Sequence, residues 1–321
     1  MLRVDCFPMF ARAIDCFARK HRQRVRTAAT CHRLLATGLT TGAVAFLEGC
    51  SSVTVLDPKG RVGAEERSLI LTAAALMLIV IVPVIIMVIA FAWRYRASNA
   101  RARYSPDWSH SRPIEISVWI VPIVIVSILG YLGWTMSHSL DPYRPIISKA
   151  EPVTIQVVSL NWKWLFIYPS EHVAAVNEVA FPVNTPVDFF LTSDTVMNSF
   201  FIPQLGSQIY TMAGMQTQLH LVANHAGRYD GLSANFSGPG FSGMTFTARA
   251  MSRAGYQHWL QRASESPQKL DRASYGRLAR PSEHNPVEYF SSVGPHLFSA
   301  IVKEYREGKM SAGGMVPGSK E

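Results

Sequence analysis

Thiols are scarce in this chain: Cys6, Cys16, Cys31 and Cys50 are the four cysteines, and none follows Cys50. The long remainder therefore holds no disulfide and no cysteine metal ligand. Charge is also sparse. Asp, Glu, Lys and Arg make up 17% of residues, against about 25% in soluble chains, while hydrophobic residues reach 48%. That balance argues against an ordinary soluble protein. Net charge is +9, but eight Lys and Arg precede Cys50 against only Asp5, Asp15 and Glu48. The excess marks a basic leader rather than a nucleic-acid surface. No internal repeat of 20–50 residues is evident.

The basic start is followed by a short apolar run, Leu34 to Leu47, ending at Leu47-Glu48-Gly49-Cys50. The run is too short to span a bilayer, which needs about 20 residues, but suits the core of a signal peptide. Residues 1–49 read as a lipoprotein-type signal peptide. The ending resembles a bacterial lipobox, with Glu48 replacing the usual small residue, and implies a diacylglycerol on Cys50. The alternative is an uncleaved segment with an incidental cysteine.

Leu69 to Trp93 and Ile116 to Leu140 contain no Asp, Glu, Lys or Arg. Each would extend about 37 Å as a helix, beyond the roughly 30 Å of a bilayer core. Spans are expected at 69–93 and 114–140, with Pro83 and Pro122 inside them. The loop between them, 94–113, carries Arg94, Arg96, Arg101, Arg103 and Arg112 against Asp107. Short Arg-rich loops stay in the cytoplasm, so residues 50–68 and everything after the hairpin face outward.

From Pro152 the pattern becomes period two, as in Val153 to Val157, Val187 to Phe189, Gln218 to Leu221 and Thr245 to Ala248. Pro, Gly and Asn separate these runs, which reads as a β-sandwich over 150–251. Helical spacing returns in Ala254 to Arg262 and Pro295 to Tyr305, giving a helical arm over 252–307. The Gly-rich end, 308–321, is expected to be disordered. The fold class is thus membrane α plus β: a two-helix transmembrane hairpin, a β-sandwich and a C-terminal helical arm.

Several runs, in order, carry a resemblance. They include Leu56-Asp57-Pro58-Lys59-Gly60, Trp93-Arg94-Tyr95-Arg96-Ala97-Ser98-Asn99, Asn161-Trp162-Lys163-Trp164 and Val196-Met197-Asn198-Ser199-Phe200-Phe201-Ile202-Pro203. Met212-Ala213-Gly214-Met215-Gln216-Thr217 and Ser237-Gly238-Pro239-Gly240-Phe241-Ser242-Gly243-Met244 complete the set. Together they resemble subunit II of the haem-copper oxidases, most closely that of cytochrome bo-type ubiquinol oxidases. The resemblance implies a cupredoxin-like sandwich outside a bacterial inner membrane. It implies partnership with oxidase subunit I, subunits III and IV and membrane lipids, and with ubiquinol through subunit I; no nucleic-acid partner is implied. Two haems and one copper are expected in subunit I and no cofactor in this chain.

Copper-bearing relatives hold a two-copper site with a His followed by Cys-x-x-x-Cys-x-x-x-His-x-x-Met. Here Asn198 stands at the first His. An ungapped alignment from Tyr229 puts Leu232 and Phe236 at the cysteines and Gly240 at the second His, leaving Met244 one residue out of step. Soft thiolates hold such copper, and this domain has none. Met212, Met215, His220 and His225 could form a different copper site, but packing methionines and a solvent-facing His220 are the simpler expectation. Trp162 and Trp164 are expected to pack in a core or interface. Glu115, at the cytoplasmic edge of the second span, matches a family glutamate at the mouth of a proton path; unaided by the resemblance it is an interfacial charge at a helix N-terminus. The close alternatives are subunit II of a menaquinol oxidase and a copper-free accessory lipoprotein of oxidase assembly.

Overall fold

The computed structural model describes residues 54–308, apart from 104 and 106. Cys50, the leader and the expected disordered tail beyond Gly308 lie outside the described residues. Helix α1 (Arg61–Arg94) contains Pro83, and α2 (Arg112–Ser139) contains Pro122. Both are long and apolar enough to cross a membrane. Their side chains stand open along most of their length, Val88 and Val126 more than 60% exposed. An apolar surface of that extent calls for lipid or a partner around it.

Helix α1 starts well before the apolar run at Leu69. Its 34 residues reach about 51 Å, and the extra turns seat the hairpin on the sandwich. The Gly63 amide donates to the Leu205 carbonyl at 2.9 Å, and Glu66 Oε1 accepts from the Ser207 amide and hydroxyl at 2.9 and 3.1 Å. Gly206, at φ +101°, brings its backbone so close to Gly63 that a Cβ would lie 2.5 Å from the Gly63 nitrogen. Only glycine adopts that conformation without strain and leaves that space.

The sandwich comprises β1 (Val153–Leu160), β2 (Lys163–Tyr168), β3 (Val173–Val176), β4 (Glu178–Pro182), β5 (Val187–Ser193), β6 (Asn198–Phe201), β7 (Gln208–Thr211), β8 (Thr217–Leu221), β9 (Gly227–Ser233) and β10 (Thr245–Met251). A C-terminal arm follows: α3 (Arg253–Ser264), α4 (Arg272–Leu278), β11 (Glu288–Phe290) and α5 (Leu297–Arg306). One sheet runs β11-β3-β2-β1-β5-β8 and the other β4-β10-β9-β6-β7. Neighbouring strands are antiparallel except β1 with β5 and β4 with β10.

The two inner faces meet on an aromatic core. Phe200 stacks on Phe246 with centroids 4.9 Å apart, and Trp164 meets Phe200 edge-on at 5.4 Å. Such pairs add about 0.5–1.5 kcal/mol beyond their burial. Strands β2 and β3 are buried on both faces. Trp164, Phe166 and Tyr168 enter the core, while Leu165 and Ile167 pack under Leu270, Tyr275, Phe290, Phe298 and Ile301 of the arm. Double coverage removes the polar half of the usual alternation, so Trp164 to Tyr168 reads as an apolar run. The arm also adds β11 to the sheet edge through Ala174 to Val176, a strand that the helical reading of 252–307 did not include. Covering an edge in this way keeps it from pairing elsewhere.

Candidate functional site

Asn198 opens β6 and is fully buried. Its amide nitrogen donates to the Val196 carbonyl at 3.1 Å and the Ser159 hydroxyl at 3.4 Å. Its amide oxygen accepts from the Ser233 hydroxyl at 3.2 Å. Ser159 and Thr211 share a hydrogen bond of 3.0 Å, and Thr211 donates to the Asn198 carbonyl at 3.4 Å. Ser159 belongs to one sheet, and Asn198, Thr211 and Ser233 belong to the other. The result is a neutral network between the sheets. Burial makes every one of these contacts matter, since an unpaired polar group there costs about 1–3 kcal/mol.

The segment after β9 folds over this network. Leu232 is only partly buried and pairs across β9 with Phe201 and Thr245. Phe236 is 74% exposed and meets the Phe241 ring edge-on at 5.5 Å. Gly240 is buried beneath Trp162, whose ring would lie 2.4 Å from a Cβ at that position. Trp162 turns at φ +62° between β1 and β2, and its indole nitrogen donates to the Ser237 carbonyl at 3.0 Å. The Ser237 hydroxyl contacts the buried Met244 sulfur at 3.9 Å.

These contacts correct the register read from the sequence. Along β9, Tyr229, Gly231 and Ser233 turn inward, so Ser233 rather than Leu232 faces Asn198. Spacing of Cys-x-x-x-Cys-x-x-x-His-x-x-Met started at Ser233 falls on Ser237, Phe241 and Met244. The shift of one residue brings Met244 into step, and Leu232, Phe236 and Gly240 drop out of the pattern. The strand's period of two decides it, because a slip of one position turns a side chain to the opposite face.

In place of thiolates and imidazoles stand two hydroxyls, an amide and a phenyl ring, with one thioether. No group carries negative charge, and only Met244 is soft. This donor set does not fit a binuclear copper centre. Among the described residues no cluster of three or more His, Cys, Asp or Glu could hold a metal ion.

The other candidates separate in space. The Met212 and Met215 carbonyls accept from Thr192, Met215 is about half exposed, and His225 is exposed. His220 does not face solvent as its alternation suggested. It is buried, with Nδ1 2.7 Å from Asp188 Oδ1, because the outer face of β8 lies behind the outer ends of α1 and α2. Trp164 is fully buried and Trp162 is partly buried. Glu115 lies in the first turn of α2, its Oε1 2.6 Å from His110 Nδ1.

The model for the periplasmic domain of cytochrome c oxidase subunit II matches residues 170–251, and that for the COX aromatic rich motif matches 265–309. The cytochrome bo(3) ubiquinol oxidase subunit 2 of Pseudomonas aeruginosa is 56% identical over 263 residues, 82% of this chain and 80% of that one. The chain belongs to the ubiquinol oxidase subunit 2 family. The ubiquinol oxidase subunit 2 of Acetobacter aceti is 49% identical over 82% of this chain and 86% of its own. The quinol oxidase subunit 2 of Bacillus cereus is 36% identical over 77% and 86%.

For this member of the subunit 2 family, the aromatic-rich arm has a physical role that its helical periodicity did not reveal. Tyr275 donates to Asp194 Oδ2 at 2.5 Å and Tyr305 to the Asp194 carbonyl at 2.9 Å. Trp259 and Tyr289 donate to the buried Glu178 at 2.7 and 2.6 Å. Burial raises the Asp194 carboxyl, although both tyrosines oppose the rise. Burial also lowers the Lys163 ammonium, which donates to the Arg280 carbonyl and the Ser282 hydroxyl. The Asp194 to Met197 turn leads directly into Asn198, so the arm holds the entry to the buried network. A run of apolar sequence containing isolated Asp or Lys was the available signal.

Proposed function

We propose that this chain is the copper-free second subunit of an oxidase complex that oxidises ubiquinol, reduces oxygen to water and moves protons across a bacterial inner membrane. The observation that carries the reading is the neutral Asn198, Ser159, Thr211 and Ser233 network where copper-bearing relatives hold their ligands. A subunit with that donor set has no relay for electrons from a water-soluble carrier. A lipid-soluble quinol that reaches the membrane partner directly needs none. On this reading the haems and one copper reside in oxidase subunit I. This chain holds the complex together: its spans pack on subunit I, with III and IV alongside, and its sandwich covers the periplasmic side.

Two residues extend the proposal. Glu115, hydrogen-bonded to His110 at the Arg-rich cytoplasmic edge, takes protons from the cytoplasm toward subunit I; a carboxylate beside an imidazole can accept and pass protons. Cys50 carries a lipid that adds a second anchor. The greater identity to relatives named for ubiquinol than to that of Bacillus cereus supports ubiquinol as donor.

Purification in mild detergent tests the reading. A large multi-span haem protein should accompany the chain, ubiquinol should support oxygen uptake, and this subunit separated from it should hold no copper. Recovery of the chain alone, or two coppers bound within its sandwich, would overturn the proposal.

A further inference from the structure

The loop between the spans concentrates cations at one end of the hairpin. Arg94 is the last residue of α1 and Arg112 the first of α2, so both stand at the edges of the charge-free runs. Arg96, Arg101 and Arg103 lie between them against Asp107, and all five arginines are exposed. Trp93, Trp108 and Trp119 stand open at the same end, 71%, 65% and 70% exposed. Such rings settle at the headgroup level of a bilayer. Cations and aromatic rings thus mark one depth.

One side chain organises the start of this loop. The Asn99 amide nitrogen donates to the Arg94 carbonyl at 2.6 Å, and its amide oxygen accepts from the Arg101 backbone N–H at 3.3 Å. Asn99 therefore holds the Arg94 and Arg101 backbones on either side of itself. The Arg96 guanidinium is engaged locally. It lies 4.9 Å from the centre of the Trp93 ring and donates to the Ser98 hydroxyl and the Trp93 carbonyl, each at 3.0 Å. Glu115, at the start of α2, is held by His110. The Arg94 and Arg101 side chains make no ion pair and no hydrogen bond among the described residues. A guanidinium offers paired N–H donors that match phosphate oxygens. Two free ones beside a single turn, at headgroup depth, suit an anion that carries its own apolar anchor.

We propose that this turn binds the phosphodiester of an anionic phospholipid from the cytoplasmic leaflet. Arg94 and Arg101 hold the phosphate, Arg103 and Arg112 add attraction for the negative leaflet around it, and the acyl chains lie along α1 below Trp93. A zwitterionic headgroup brings the same phosphate together with a cation that these arginines repel. A lipid fits better than an acidic segment of a protein partner, because the cluster begins in the last turn of a span, where lipid phosphates already lie. The bound lipid steadies the inner end of the hairpin, as Glu66 and Gly206 steady its outer end on the sandwich. Binding needs the hairpin to cross a bilayer with this loop on the inner side. It does not depend on quinol as the electron donor.

Titration of the delipidated full-length protein, in mild detergent with its copurifying partners, tests the proposal with tail-labelled dioleoyl phosphatidylglycerol and dioleoyl phosphatidylcholine. The anionic lipid should bind about tenfold tighter, and the gap should shrink as salt is raised, since added ions screen exposed charges. Each arginine facing a negative leaflet is worth about fivefold in affinity. Arg94→Gln with Arg101→Gln should therefore weaken phosphatidylglycerol binding about tenfold or more. Asn99→Ala removes no charge and should still weaken it several-fold. Arg228→Gln with Arg277→Gln removes two exposed charges from the sandwich and the arm and should leave it unchanged. Equal affinity for the two lipids, no loss in either loop variant, or an equal loss in the Arg228 and Arg277 variant would each sink the proposal. Displacement of the lipid by an equal concentration of inorganic phosphate would overturn it in favour of a free-anion site.

Discussion

The Ser233 hydroxyl donates to the Asn198 amide oxygen at 3.2 Å, a buried contact between the neighbouring strands β9 and β6. Removing the amide with Asn198→Ala leaves Ser159 and Ser233 without that partner inside the sandwich. The cost should be about 1–3 kcal/mol, read as a lower unfolding temperature of the purified protein. An unchanged melt would mean that the network contributes nothing to stability.

Trp162 leaves no room for a side chain at Gly240. Gly240→Ala should displace the indole and cost about 1–3 kcal/mol. Tryptophan fluorescence should shift to longer wavelength as Trp162 gains water. Gly238→Ala is a useful comparison: its strain is conformational, from φ +107°, because a Cβ would meet the ring at an ordinary 3.4 Å.

Asp194 supplies a pH dependence. Burial raises its folded-state pKa above the ordinary 3.8, so the folded state binds the proton more tightly than the unfolded state. Stability from this group is greatest below 3.8 and is lost as pH rises through the raised value. Asp194→Asn keeps an acceptor for Tyr275 without the charge. Its melting temperature relative to the parent should therefore rise between pH 4 and pH 7. A constant difference across that range would show that Asp194 does not titrate differently on folding.

Gly206→Ala should loosen the seat of α1 on the sandwich. The new methyl would meet the Gly63 backbone at φ +101°, where strain alone costs about 1–3 kcal/mol. Limited proteolysis between the sandwich and the hairpin should accelerate several-fold, while strand content by circular dichroism stays near that of the parent.

Glu115→Gln should lower quinol-driven oxygen uptake about tenfold or more with haem content unchanged. His110→Asn should have a smaller effect in the same direction, since it removes the partner and leaves the carboxylate. Full turnover in both variants would dismiss the proton-entry role.

Much of the architecture was legible before any coordinates. Uncharged runs long enough to span a bilayer, an Arg-rich loop and later period-two alternation each arise from a local rule. The β2 and β3 strands and the short β11 were not legible, because their faces are settled by a partner distant in sequence. Trp164 to Tyr168 is aromatic and aliphatic throughout since the arm covers one side and the core the other.

The absence of cysteine after Cys50 settled by itself that no thiolate copper site exists in the sandwich, because composition needs no geometry to exclude a ligand. Which residues stand in its place was a tertiary matter. Strand β9 had to be placed against β6 before Ser233 rather than Leu232 could be seen to face Asn198. Likewise, alternation placed His220 outside, and only the packing of the helix ends over β8 made that outer face an interior.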